Sequence, residues 1–460
     1  MSRRLGYLLA VCVAVALIGS VMLGPASKAG ASAGAPAAGD TWPMFGHGQL
    51  HSGVSPDTAI GASTAPGLAR RWSQPLGAAS DQPSPAVAYN AALKQTLVYD
   101  VTYSGVVSAF NALTGTLVWR RPVAAKVFSS PAVYRNTVYF GTNAGKLEAL
   151  NAATGTVQCT FTLPFSPPAS QPGRIFSSPV VGNVDGTGPT VFFGDAGGSP
   201  PSPAEASNGG HMWAITGAGN TAGSCKERWA YSNWPDKGTN GTMTGVWDEP
   251  ALVREGNGTA AVVFGTSNPD GAVYALNAVT GSRLWRFRTA QTGQDQDVGA
   301  GPTISPPGGN GFAHGVVYID GKDGIEYALD LLTGKKIWSS RLGAGSANAL
   351  AVSEAALAGN TLAVGFAGSV FALNATTGAL IWKATPGGTI QASPAVSGAA
   401  GNQALFAGDL NGHEYGFSLA NGAQVFSAAT TGKIQDSSAV AAGTLYFASA
   451  GTLYAYAPSG

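Results

Sequence analysis

The chain is poor in charge. Only 11% of its 460 residues are Asp, Glu, Lys or Arg, against roughly 25% in ordinary soluble domains. Acids and bases nearly cancel at a formal +1 and no basic run occurs, so nothing offers the electrostatic footprint of a nucleic-acid binder. Histidine is scarce too: His47, His51, His211, His314 and His413 show no nucleophile or metal-ligand spacing around them, which argues against a conventional hydrolase. The three cysteines, Cys12, Cys159 and Cys225, form neither an adjacent pair nor a metal-type or haem-attachment spacing. No phosphate-cradling loop is evident, and the many Gly pairs read as turns.

Glycine is what the chain has instead. Its 65 residues are about twice the roughly 7% average, the mark of a turn-rich chain. The length fits two or three average domains, yet all-β folds of this size also occur as one unit.

Residues 1–31 read as an export signal: Arg3 and Arg4, an apolar run from Leu8 to Leu23, and small residues ending in Ala29-Gly30-Ala31. An uncleaved anchor is the alternative, although the run is slightly shorter than the ~17–25 residues that span a bilayer. Loss of Arg3, Arg4 and Lys28 takes the formal charge from +1 to −2. The expected location is secreted or extracytoplasmic, where Cys159 and Cys225 are the remaining cysteines; whether they pair stays open.

One phrase recurs along the chain: apolar-aromatic-Ala-apolar-Asn/Asp, three residues, Gly, three residues, Trp. It runs through 107–119, 273–285, 326–338 and 370–382, with weaker copies at 147–159 and 414–426. Each copy is a hairpin: Val370-Phe371-Ala372-Leu373 alternates as a strand, Asn374 to Gly378 turn, and Ala379 to Trp382 return. A short Ser-Pro strand precedes several copies, as at Ser129-Ser130-Pro131, Ser177-Ser178-Pro179 and Ser393-Pro394; small residues suit a crowded inner strand. Trp72, Trp119, Cys159, Trp229, Trp285, Trp338, Trp382 and Phe426 mark eight outer strands. The spacing predicts an all-β, eight-bladed β-propeller of four-stranded blades, with the tryptophans wedged between neighbours. The last repeat stops at Gly460 before an outer strand, and Leu68-Ala69-Arg70-Arg71-Trp72 supplies one from the N-terminal side, closing the ring without exposed edges. The expected organisation is a signal at 1–31, an N-terminal segment at 32–67 and the propeller at 68–460, with insertions at 163–173 and 194–210.

This repeat resembles that of the pyrroloquinoline quinone (PQQ) propeller family of bacterial quinoproteins. Trp42-Pro43-Met44-Phe45-Gly46-His47-Gly48 is similar to the opening of its small secreted members, including polyvinyl-alcohol-dehydrogenase-like proteins. Four features from Gly245 to Gly324 carry the resemblance to the dehydrogenases. Gly245-Val246-Trp247 resembles the segment whose indole floors the quinone. Phe264-Gly265-Thr266-Ser267-Asn268 is similar to the segment whose asparagine binds Ca²⁺, a cation needing several oxygens. Asp295 and Asp297 stand where the family places its catalytic carboxylate, the proton acceptor during hydride transfer, and Asp297 is also a metal-ligand candidate. Lys322, in Gly321-Lys322-Asp323-Gly324, matches the cation that bonds the quinone oxygens. Each of these also fits an ordinary repeat position: an inner strand, a turn, a solvated acid or a surface lysine.

Departures weigh on the other side. The vicinal disulfide that covers the quinone in many relatives is absent, and the only counterpart of the first calcium glutamate, Glu205, lies in an insertion. Arg120, Arg174 and Arg254 could meet the quinone carboxylates, with nothing local to choose among them. Two functions follow from the resemblance. One is a quinoprotein dehydrogenase oxidising an alcohol or sugar with PQQ and Ca²⁺ and passing electrons to a separate acceptor. The other is a non-enzymatic extracellular propeller that binds protein or polymer, as the outer-membrane assembly lipoprotein of this family does.

Overall fold

A computed structural model describes residues 40–78, 83–164, 174–196, 210–232, 245–267, 270–290, 297–345 and 353–459. Among them, eight four-stranded antiparallel sheets follow one another in chain order as blades 1 to 8: residues 86–122, 132–162, 180–232, 251–288, 303–341, 356–384, 395–429 and 439–458. The eighth is completed by β1 (Leu68–Pro75), paired antiparallel with the last strand, β32 (Thr452–Pro458), from Leu68↔Pro458 to Pro75↔Thr452. The expected eight-bladed propeller, closed by strands from both ends, is the fold.

The repeated tryptophan explains how blades dock. In blade 6 a bulge leaves Ala372 opposite Trp382 and Leu373 opposite Leu380, which re-aims the indole out of its own sheet. Its Nε1–H then donates to Leu419 O of blade 7 at 2.8 Å. The glycine of the facing turn is required: Gly422 has φ +72°, and a Cβ there would lie 2.7 Å from the Trp382 ring. Trp72, Trp119, Trp229, Trp285 and Trp338 make the same indole bond to the next blade.

Blade 2 has Cys159 instead, and the seam to blade 3 is closed by a Cys159–Cys225 disulfide. The covalent bond thus stands where six other seams have an indole; blade 7 has Phe426 at that position. A crosslink spanning 66 residues stabilises by about 4 kcal/mol on chain-entropy grounds. Cys159→Ser is expected to lower the calorimetric melting temperature, and reductant to lower it in the parent chain but not in the variant.

The N-terminal segment is structural as well. Trp42 bridges Val87 of blade 1, and Val133 N of blade 2 donates to Pro43 O at 2.6 Å. The Gln49 side chain reaches Val181 O of blade 3 at 2.8 Å. Leu252, Ile304, Leu357 and Val396, from blades 4 to 7, donate in turn to Gln49, Leu50, Ser52 and Gly53 carbonyls. Gly443 N of blade 8 donates to Asp57 Oδ2. Sixteen residues, 42–57, therefore bond to every blade in order and stop one end of the central channel.

Candidate functional site

The innermost strands descend towards that plug in matching register, so each blade delivers the same positions to the axis. The Ser-Pro position comes from successive blades as Ser84, Ser130, Ser178, Glu249, Gly301, Glu354, Ser393 and Ser437. Most are linked head to tail. Ser437 N donates to Ser84 Oγ, Ser84 N to Ser130 Oγ, and Ser130 N to Ser178 Oγ, at 2.8–2.9 Å. Glu354 N donates to Ser393 Oγ and Ser393 N to Ser437 Oγ, again at 2.8–2.9 Å. Ser178 Oγ donates to Glu249 Oε1 at 3.2 Å. A hydroxyl at this position satisfies the neighbouring blade's backbone N–H, which is the physical reason for the repeated serine.

Two residues earlier in each strand, an upper layer contains Phe128, Phe176, Trp247 and Gly299, and opposite them Gln391 and Gln435, whose amides bond at 2.7 Å. Between the layers lies a cavity of about 420 Å³, floored by Phe45 of the plug, with Glu249 and Lys322 in its wall. It has an aromatic arc on one side and an amide and hydroxyl arc on the other. A planar ring with polar edges suits such a space.

Three of the residues singled out from the sequence meet here. Lys322 Nζ lies 2.6 Å from Asp297 Oδ2 and 5.9 Å from the Trp247 ring centroid. Trp247 and Lys322 line the cavity, and Asp297 is buried beside them. Asp295, Asn268 and Glu205 lie outside the described residues, as do most residues of the two insertions. Among the described residues, no three Asp, Glu, His or Cys side chains are placed to hold a metal ion.

Cations gather over the aromatic arc. Lys126 Nζ stacks 4.9 Å from the Tyr103 centroid, and Arg174 Cζ 5.9 Å from that of Phe176; Tyr103, Phe128 and Phe176 are consecutive edge-to-face neighbours at 4.8 Å. With Lys322 they supply three positive charges around aromatic faces. Arg174 is the arginine the geometry selects: Arg120 is bonded to Pro75 O and Ser108, and Arg254 lines a separate cleft of about 270 Å³ with Gln49 and Leu252.

The indole's seat depends on one glycine. A Cβ at Gly299 would lie 2.3 Å from Trp247 Cη2, so Gly299→Val is expected to displace the ring. Altered tryptophan fluorescence, with the propeller still folded by circular dichroism, would be the readout.

Sequence reasoning missed Glu249, Glu354, His51 and the aromatic arc. The signal for the glutamates was present: Glu249-Pro250 and Glu354-Ala355 occupy the Ser-Pro register.

The eight four-stranded blades define the class as an eight-bladed β-propeller, and the comparisons with known proteins agree on that fold. The family model described as "Outer membrane protein assembly factor BamB", of PQQ-repeat propellers, matches residues 57–224 and 226–460, and the chain belongs to that family. A 117-residue stretch is 32% identical to the dehydrogenase subunit of alcohol dehydrogenase (quinone) from Gluconobacter oxydans, covering 25% of this chain and only 13% of that protein. Among solved structures, europium-containing methanol dehydrogenase superimposes with TM-score 0.71 at 14% identity, covering 91% of this chain and 98% of that one. Quinohemoprotein alcohol dehydrogenase from Comamonas testosteroni gives 0.67 at 16% identity, covering 92% and 81%. BamB from Moraxella catarrhalis gives 0.57 at 17% identity, covering 85% and 97%. At these identities the structural likeness establishes the fold alone.

Proposed function

We propose that the axial cavity binds PQQ and that the protein is an exported quinoprotein dehydrogenase, oxidising the hydroxyl of an alcohol or sugar and passing electrons to a separate acceptor. The observation that carries this reading is the convergence of Trp247, Asp297 and Lys322, from blades 4 and 5, on one cavity. The donor set fits the group: an indole face for a planar ring, and Lys126, Arg174 and Lys322 for its carboxylates and carbonyl oxygens. When bound, the quinone supplies the carbonyl that accepts hydride.

The chain's own residues do the rest. Lys322 anchors the ligand's oxygens and orients the Asp297 carboxylate through their ion pair. Asp297 takes the proton of the substrate hydroxyl as the C–H bond breaks. Phe45 and the aromatic arc keep water from the cavity floor. Calcium belongs to the proposal through Asn268, Glu205 and Asp297.

Titration of the mature protein with PQQ, with and without Ca²⁺, followed by absorbance and calorimetry, tests it. Saturable binding strengthened by Ca²⁺ supports the dehydrogenase and justifies an alcohol and sugar screen with an artificial acceptor. No binding at high micromolar quinone overturns it and leaves the second reading, a propeller scaffold for a protein or polymer, which the family model's description favours.

A further inference from the structure

Two members of the axial ring are acidic where the repeat dictates serine, and they flank a glycine. A Cβ at Gly301 would lie 2.7 Å from Glu354 Oε2, 2.8 Å from Glu249 O and 3.2 Å from Glu249 Cβ, so the space a side chain would fill is taken by the Glu354 carboxyl and the root of Glu249. From below, the plug presents His51, whose Nδ1 is 3.1 Å from Glu354 Oε1, although the pair lacks hydrogen-bond geometry. Both Glu354 oxygens are without a hydrogen-bond partner at 1% exposure. A carboxylate ion without donors in such a place is costly, whereas a carboxylic acid is tolerated. Glu249, with one donor in Ser178, faces the cavity.

We propose that Glu249, Glu354 and His51 form a buried proton-holding site in the cavity floor, and that it takes up one proton from solvent when an anionic ligand enters. The second half rests on the proposed quinone binding; the first does not. An ionised Glu249 in the wall repels an anion, and protonation removes the repulsion. Burial, reinforced by Glu354, pushes Glu249 up to about 7, while burial pushes His51 down to about 4, so His51 is neutral where Glu249 titrates. The remaining charged neighbours do not supply a counter-ion: Asp248 and Asp320 add only acidic character beside Glu354, and Lys322 across the cavity is paired with Asp297. Ser178 and Gly301 are neutral. With one proton linked to binding, quinone affinity falls about tenfold per pH unit above the Glu249 titration.

Infrared difference spectra of the ligand-free chain between pH 5.5 and 8.5 (about three units around the titration) test the site directly. The expected result, read in a Glu414→Gln background because burial holds Glu414 at about 8 within the same range, is a carboxylic-acid C=O band that disappears as pH rises through about 7 and is missing when Glu249→Gln is added. Its absence from the Glu414→Gln background, or its survival there unchanged on adding either Glu249→Gln or Glu354→Gln, overturns the proposal whether or not quinone binds. Titration with PQQ over the same range supplies the second arm. A tenfold loss per pH unit, abolished in Glu249→Gln, supports linked uptake; a flat profile in the parent chain overturns it. Should quinone fail to bind at any pH while the band titrates, the dehydrogenase reading falls and the proton site stands.

Discussion

Raising the pH from 5 to 8 is expected to destabilise the protein by at least on the order of 2 kcal/mol, the reverse of the usual behaviour of paired carboxylates. The cause is a set of carboxyl groups buried with too few donors. Burial holds Glu414 up at about 8 despite the hydroxyl of Ser438, and burial with Glu354 holds Glu249 at about 7. In the unfolded chain each ionises near the ordinary value of 4.5, so above that value the unfolded state binds fewer protons and stability falls as pH rises through the folded values. His47 and His51 act oppositely: burial lowers both to folded values of about 4, below the ordinary 6.5, so their contribution is present above 6.5 and lost as pH falls. At about 1.4 kcal/mol per pH unit, the two glutamates outweigh the two histidines. Asp100, Asp248, Asp320, Glu326 and Glu354, all raised well above the ordinary range by burial, push the same way. Urea titrations at acid, neutral and mildly alkaline pH measure the effect. A midpoint constant or rising from pH 5 to 8 contradicts it, and Glu414→Gln should flatten the slope.

These acids show where the sequence is informative and where it stops. The blade is written locally: Val370-Phe371-Ala372-Leu373 alternates, Asn374 and Gly378 make the turn, and Trp382 returns opposite Ala372. Each instruction acts within a few residues, and repetition multiplies it, so the eight-fold ring could be read directly. The axial site is different in kind. His51 meets Glu354, and Lys322 meets Asp297, only because blades close around an axis. Trp247, Asp297 and Lys322 were found through resemblance to a family and not through any local rule. The glutamates were visible only as breaks in the Ser-Pro register, informative once that register is known to face the channel. The plug gave no periodic signal, because its successive partners sit on different blades.

Lys322→Ala is expected to weaken PQQ binding by 100-fold or more, about 3 kcal/mol, while Asp297→Asn leaves binding within a few-fold and lowers turnover by roughly 10²–10⁴. The asymmetry follows from what each side chain touches. Lys322 joins two functions, a cation 5.9 Å from the Trp247 centroid and the partner of Asp297 at 2.6 Å. Removing it strips the ligand of an anchor and takes the 2.6 Å cationic neighbour from a buried acid beside the place where further negative charge must enter. Asparagine at 297 keeps a carbonyl oxygen for Lys322 but cannot accept a proton, so loss of turnover without loss of affinity is the signature of a general base. The double variant Lys322→Met/Asp297→Asn also removes the buried carboxylate's charge and should recover folding stability relative to Lys322→Ala without recovering binding. That comparison separates anchoring from stability. If Asp297→Asn instead loses affinity and turnover together, Asp297 holds the ligand or its metal ion and the proton must leave by another group. If Lys322→Ala binds quinone as the parent does, the cation over Trp247 is a structural feature of the propeller and the cavity serves some other ligand.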